Sequence, residues 1–429
     1  MGNQSSGKST TIGHLLYSTG NIEESIFQKI KNLTEYYGLP SLKYSWLIND
    51  LVEERNTSKT IIYHLKKFET KIYDFTLIDL PGKFSLKKNI IRGLSLADAV
   101  VIVVSSNDEE SENNHIKDYL ILAFTMGIRQ IIFAINKMDE TKDCKYSEII
   151  FMKMKKNLKN LSKKIGFNDD NIQFIGYSGF YGQNLVNKYE DRDELKVNKM
   201  KWYKGKTLLE SLDELKPPKR YFNKPLRISI YDVFKIHNVG TVLCGKILSG
   251  ILKIGTKLVI PHYNETILTD CLSIEMHSIN KNEALPGDII GFHVKGLGIR
   301  DLRKIKLVFG EGKDQSLKKI DNLRIKLLMI NKIMTLKIGN ILSLYCYTDH
   351  IPIKIVKIEY IIDKSNKIME KDPKEIKNGD IAIVIIKIIQ TKYIHSFFCD
   401  KFINNPFLGS FSIVEKDMIA IGNILDMNI

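Results

Sequence analysis

Near the amino terminus, Gly2-Asn3-Gln4-Ser5-Ser6-Gly7-Lys8-Ser9-Thr10 fits the pattern G-x-x-x-x-G-K-[ST]. Glycines at both ends of the run let the backbone curl with its N–H groups turned inward, a cradle for phosphate with Ser5 and Ser6 inside it. Lys8 can reach the β- and γ-phosphates of a nucleotide and Ser9 can offer its hydroxyl to Mg²⁺. The helix expected from Thr10 onward turns its positive end toward the same charge.

Three later sites extend that chemistry. Asp79-Leu80-Pro81-Gly82 reads D-x-P-G. An acid at the tip of a buried strand can hold Mg²⁺ through its water, and the glycine can bring an N–H to a γ-phosphate. Asn136-Lys137-Met138-Asp139 reads N-K-x-D. The Asp139 carboxylate can accept from N1–H and the exocyclic amine of guanine, a donor pair that adenine does not offer. Ser178-Gly179 stands where a backbone N–H can reach O6 of the same base. Each motif alone is also a common turn, but in this order and all at strand ends they point to GTP or GDP with Mg²⁺.

The elements that must position these residues follow from periodicity. Residues 10–18 and 23–37 carry apolar positions at helical spacing, and 46–54 predicts a further helical piece. Residues 61–68 and 73–78 read as a strand pair. Apolar strands at 99–104, 130–135 and 172–176 alternate with helical stretches, as in a doubly wound, mostly parallel α/β sheet with its loops converging on one edge. Only Met1 precedes the phosphate loop, where such folds place a central strand, so the natural start is expected upstream of Met1. Lys216-Pro217-Pro218-Lys219-Arg220 breaks the pattern as a linker, and beyond it short alternating strands predict two β-barrels or sandwiches. The expected domains are 1–218, binding the nucleotide and lacking its first strand, then barrels at 219–318 and 319–429.

The chain has 429 residues, and its 64 Lys+Arg against 49 Asp+Glu leave a charge of +15, which favours a polyanionic partner such as RNA. Lys, Ile and Asn are abundant throughout, so part of that excess fits compositional drift. Cys144, Cys244, Cys271, Cys346 and Cys399 form no C-x-x-C pair and read as buried thiols of a reducing compartment. With no run of about 18 apolar residues and no signal-peptide pattern, the expectation is a cytoplasmic protein with no membrane partner. His277 and His350 read as packed or exposed, and the basic runs at 153–156 and 163–164 as a solvated helix face.

The sequence resembles the translational GTPases, and within them eukaryotic and archaeal elongation factor one-alpha. The resemblance is carried by Trp202-Tyr203-Lys204-Gly205-Lys206-Thr207-Leu208-Leu209-Glu210, by Lys224-Pro225-Leu226-Arg227, by Ser273-Ile274-Glu275-Met276-His277 with Ala284-Leu285-Pro286-Gly287-Asp288, and by Pro406-Phe407-Leu408-Gly409-Ser410-Phe411. It implies a monomeric GTPase whose GTP form carries aminoacyl-tRNA to the ribosome and which a guanine-nucleotide exchange factor reloads. It also implies that Glu54 to Thr60 form the first switch, with Thr60 closing on Mg²⁺ and the γ-phosphate, and that Asp79 and Gly82 head the second. Lys83 stands where the family has the histidine that positions the attacking water. Asn3-Gln4-Ser5-Ser6 replaces the family's histidine-valine-aspartate pattern, and His115-Ile116-Lys117-Asp118-Tyr119 replaces glutamine-threonine-arginine-glutamate-histidine. Tyr347-Thr348-Asp349-His350 only partly keeps a segment associated with the tRNA arm. Elongation is the leading reading. A ribosome-rescue or termination GTPase, or a degenerate GTP-binding paralogue that hydrolyses little, are the alternatives, the last supported by Lys83 and the changed helix.

Overall fold

The computed structural model describes all residues except 50, 108–114, 142–143, 188–199, 263–264, 299–301, 303–304, 313–319, 332, 348, 364, 390–396, 398, 416–417 and 429. Thr348 and the expected domain boundary at 318/319 lie outside the described residues. The chain divides into two units, residues 1–124 with 128–217, and 125–127 with 218–429.

In the first unit Gly7 leads into α1 (Lys8–Ser18), which is followed by α2 (Glu24–Tyr36). The helix predicted over 46–54 is interrupted: a 3-10 turn covers Ser45–Leu47, and α3 begins only at Val52 and ends at Thr57. At this interruption Arg55 Nε donates to the Asn49 carbonyl at 2.8 Å and its guanidinium also reaches the Trp46 carbonyl at 3.4 Å. Those are acceptors that a continuous helix would use for its own N–H groups.

An antiparallel hairpin, β1 (His64–Glu69) and β2 (Asp74–Asp79), sets His64 opposite Asp79, and α4 (Lys87–Leu96) follows. Then β3 (Val100–Ser105), α5 (Ile116–Thr125), β4 (Ile131–Asn136), α6 (Glu148–Ile165) and β5 (Ile172–Gly176) build two successive β-α-β units. The three strands are parallel in the order β3-β4-β5. Every residue of β4 is buried, as expected of a strand covered on both faces. Ser105 pairs with Asn136 and Ile135 with Gly176, so all three strands release their chain at the same edge. Alongside β3, the Met1 amino group donates to the Val101 carbonyl and the Met1 carbonyl accepts from Val103 N–H. Leu15, Ile48, Phe68, Val103, Ile132, Ala134 and Ile175 belong to the core of this unit.

The second unit consists of two antiparallel barrels, each of six main strands. In the first, Lys257–His262 pairs with both Glu265–Met276 and Leu307–Gly310, which closes the ring. In the second, Ile341–Cys346 pairs with both Asp349–Ile362 and Ser410–Val414. Asn322–Met329 and Ile381–Ile388 place a buried residue at every second position along their length, the period of two that the sequence shows. An ion pair of 2.8 Å links Arg227 of the first barrel to Asp400 of the second, and both side chains are nearly buried. One expectation fails among the cysteines: Cys144 is exposed, in a polar turn ahead of α6 where no apolar run covers it, whereas Cys271, Cys346 and Cys399 are buried.

Candidate functional site

The phosphate loop owes its curl to residues in the left-handed region, Ser5 at φ 62° and Gly7 at φ 94°. A Cβ on Gly7 would lie 2.3 Å from Asn136 Nδ2, so glycine is required there by contact as well as by conformation. Lys8 Nζ donates to the Asn3 carbonyl across the loop at 2.9 Å. Gly82 lies against the same loop: a Cβ there would fall 2.5 Å from Lys8 Nζ and 2.8 Å from Gln4 Cα. The phosphate loop and the D-x-P-G turn are therefore neighbours, with Lys8 between them.

Behind Lys8, three oxygen groups from distant parts of the chain meet. Ser9 Oγ, in the first turn of α1, donates to Asp79 Oδ2 at 2.5 Å. Thr60 Oγ1 lies 3.1 Å from Ser9 Oγ and 3.5 Å from Asp79 Oδ2. Asp79 is buried at the end of β2, and its Oδ1 has no partner among the described residues. Burial pushes its carboxyl above the ordinary range, opposed by the Ser9 hydrogen bond and the Lys8 charge. Two hydroxyls and a carboxylate whose second oxygen is an orphaned buried acceptor form a hard-oxygen donor set, and this fits Mg²⁺. The chain directly after Thr60 is held by Glu54, which the sequence marked only as the start of the first switch. The Glu54 carboxylate is fully buried, accepts from Ile61 and Ile62 N–H at 2.7 and 3.2 Å, and lies 2.7 Å from His64 Nε2.

At the edge where β4 and β5 end, Asn136 ties three segments together. Its Nδ2 donates to the Ser6 carbonyl at 2.9 Å, and its Oδ1 accepts from Lys137 N–H and Gly179 N–H, each at 2.8 Å. Lys137 takes a left-handed φ of 62°, which turns the chain into the 3-10 turn carrying a buried Asp139. Ser106 on the β3 side adds a bond to the Lys137 carbonyl at 2.7 Å. The N–H groups of Ser178 and Gly179, expected to face a base, are donated inside the protein, to the Gln183 carbonyl and to Asn136. Their loop is fixed further by His14 Nδ1, 2.8 Å from the Gly179 carbonyl, and by Tyr177, whose hydroxyl meets Thr11 Oγ1 at 2.8 Å. Sequence spacing gave no sign of His14 or Thr11. Tyr177 could have been suspected from its place directly before Ser178.

Lys83 stands apart from this cluster. It is exposed, and its ammonium makes no hydrogen bond or ion pair among the described residues. The residue after it, Phe84, is buried and stacks on His115 with ring centroids 4.8 Å apart, and Tyr119 lies 5.8 Å from the same ring. The Tyr119 hydroxyl donates to the Gly82 carbonyl at 3.2 Å. Two of the residues that depart from the resembled pattern, His115 just before α5 and Tyr119 within it, thus hold the turn that carries Gly82. Thr10 occupies the first turn of α1, next to Ser9.

Comparison with known proteins now bears on the same residues. Residues 1–218 match the family described as the elongation factor Tu GTP binding domain, 240–304 match elongation factor Tu domain 2, and 322–425 match the GTP-eEF1A C-terminal domain-like family. Elongation factor 1-alpha of Plasmodium falciparum is 37% identical over 431 residues, covering 99% of this chain and 93% of the relative. The chain is a translational GTPase of the elongation factor Tu and 1-alpha family. Elongation factor 1-alpha of Tetrahymena pyriformis is 36% identical, over 99% of this chain and 95% of that protein. Among solved structures, the Saccharomyces cerevisiae Ski7 GTPase-like domain bound to GDP and inorganic phosphate superposes with a TM-score of 0.80 over 99% of this chain and 96% of its own. At 19% identity that is a likeness of fold. For this translational GTPase, no helix among the described residues is long and apolar enough to cross a membrane.

Proposed function

We propose that this GTPase is a GTP-dependent carrier of aminoacyl-tRNA, working in the manner of elongation factor 1-alpha, with a slow hydrolytic step. The observation that carries the reading is the meeting of Ser9, Thr60 and Asp79 beside Lys8 and Gly82, because it makes the position of Thr60 depend on what fills the phosphate site. In this reading the phosphate loop, Gly2 to Thr10, wraps the phosphates, Lys8 neutralises their charge, and Asp139 selects guanine. Ser9, Thr60 and Asp79 would hold Mg²⁺, which neutralises charge on the β- and γ-phosphates when bound. Gly82 N–H would meet the γ-phosphate, and Tyr119 holds the following peptide through the Gly82 carbonyl. Loss of that phosphate releases Thr60 and Gly82, which is the off signal.

Identity of 36–37% over nearly the whole chain with elongation factors 1-alpha, together with three matched domains, supports elongation over rescue or termination. The ribosome, an exchange factor and a cytoplasmic setting follow from the same reading. Lys83 supports the slow step, since an exposed ammonium cannot accept a proton from water as a neutral imidazole can. The same residue supports a second reading, a GTP-binding paralogue that does not turn over. A gel-shift comparison of aminoacylated and deacylated tRNA, with protein in the GTP-analogue and GDP forms, tests the proposal. Binding of the aminoacylated species in the GTP-analogue form alone is the expected result, and equal binding of both tRNAs overturns it.

A further inference from the structure

We infer that the first unit carries a second ligand site, built to take a small amphipathic anion. Between α2, the 3-10 turn at Ser45–Leu47, α3 and β1 lies an open cavity of about 530 Å³. That volume is within the range of small-molecule sites. None of its lining residues belongs to the phosphate loop, to the Ser9, Thr60 and Asp79 cluster, or to the guanine motifs.

Its floor is apolar, formed by Leu16, Ile22, Ile30 and Leu47, with Trp46 as one wall. The charged groups at its edge are Arg55, Lys66, Lys67 and Glu23. Lys67 is paired with Glu69, and Glu23 accepts a hydrogen bond from Ser25. Arg55 differs from these. Its guanidinium lies 5.6 Å from the centroid of the Trp46 ring and donates to the carbonyls of Asn49 and Trp46, but no carboxylate among the described residues pairs with it. Carbonyl oxygens solvate that charge without neutralising it. In the wall beside it, Trp46 is 6% exposed and its indole Nε1–H has no acceptor among the described residues. The chemistry that meets an apolar floor and an unneutralised guanidinium is an apolar body bearing one acidic group, a carboxylate or sulfonate.

The chain has two tryptophans, Trp46 and Trp202, so the cavity carries its own optical reporter. The probes are 1-anilinonaphthalene-8-sulfonate and its uncharged counterpart N-phenyl-1-naphthylamine, titrated into the full chain. Saturable one-site binding of the sulfonate is expected, with quenching of tryptophan emission that disappears in Trp46→Phe. Ile26→Glu, a change at a 48% exposed residue of the cavity edge, should weaken both probes by at least roughly tenfold. Arg55→Gln should weaken the sulfonate by roughly tenfold and the uncharged probe by less than about threefold. Because Arg55 also holds two carbonyls, Ile26→Glu and Trp46→Phe carry the test of the site should Arg55→Gln fail to fold, and titration of the sulfonate against the uncharged probe in the unmodified chain carries the test of its charge preference. Affinity unchanged in Ile26→Glu, quenching that survives Trp46→Phe, or no preference for the sulfonate over the uncharged probe would each overturn the assignment. GDP binding is measured separately for every variant, so a failure of the nucleotide reading and a failure of the cavity reading are told apart.

Discussion

Replacing Asn136 with alanine removes three hydrogen bonds from a residue that is 3% exposed: to the Ser6 carbonyl and from the N–H groups of Lys137 and Gly179. A buried polar group left unsatisfied costs about 1–3 kcal/mol. Water admitted to the truncated space recovers part of this, so the expected loss of stability is about 2–4 kcal/mol in the nucleotide-free protein. The same three bonds hold the phosphate loop, the N-K-x-D turn and the Ser178-Gly179 loop at one spacing. Without them, binding must supply the ordering of those loops, and a deficit of about 2 kcal/mol corresponds to roughly thirtyfold weaker GDP binding. Urea denaturation measures the first number and displacement of a fluorescent GDP analogue the second. Because the fault lies in the spacing of loops and not in reading the base, GDP and IDP should lose affinity by the same factor. A stability change under about 0.5 kcal/mol, or a loss confined to GDP, would refute the view of Asn136 as the tie between phosphate and base loops.

Four further outcomes are expected. Asp79→Asn should raise the stability of the metal-free protein at neutral pH and abolish the effect of Mg²⁺ on GDP affinity. Since burial raises the Asp79 carboxyl, its contribution to stability is fully present below the ordinary carboxylate range, near pH 4, and is lost as pH rises through the raised value. Denaturation midpoints against pH, with and without Mg²⁺, check this. His14 is held below its ordinary value, chiefly by burial, so its contribution is present above about pH 6.5 and is lost on acidification through the lowered value. The difference in stability between the unmodified protein and His14→Gln should shrink across that window. Lys83→His should raise ribosome-stimulated GTP hydrolysis in single-turnover assays by about 10²-fold or more, the usual contribution of a positioned acid or base, and no gain favours the non-hydrolysing paralogue. Tyr119→Phe removes one hydrogen bond, worth about 0.5–1.5 kcal/mol, from the Gly82 carbonyl, and should narrow the preference between GTP analogue and GDP by up to about tenfold while the fold persists.

What the sequence revealed and what it concealed divide along a physical line. Gly7, Lys8, Ser9, Asp79 and Asn136 were readable because a backbone curled around phosphate, and strand tips released at one edge, require particular residue types at particular spacings. The two barrels were readable because half-buried strands impose a period of two, as at Asn322–Met329. The pairings of Glu54 with Ile61 and Ile62, His14 with Gly179, and Thr11 with Tyr177 follow no spacing rule, since only tertiary folding brings such side chains within reach. The same holds for Gly179, whose N–H looked available to a base until Asn136 was placed beside it. Where periodicity predicted an unbroken helix, Arg55 bonds the Asn49 and Trp46 carbonyls, and no apolar pattern records such a contact. Lys83 and Tyr119 were visible in the sequence as departures, but the bond from Tyr119 to Gly82 shows that one of them supports the turn while the other points to solvent.

The most direct test of the carrier reading is the lifetime of the ester bond of aminoacyl-tRNA in the presence of the full chain loaded with a non-hydrolysable GTP analogue, compared with the GDP form. Slower spontaneous hydrolysis of the ester is expected with the GTP analogue, and no protection with GDP. Equal lifetimes in both forms, with both nucleotides bound, would contradict it.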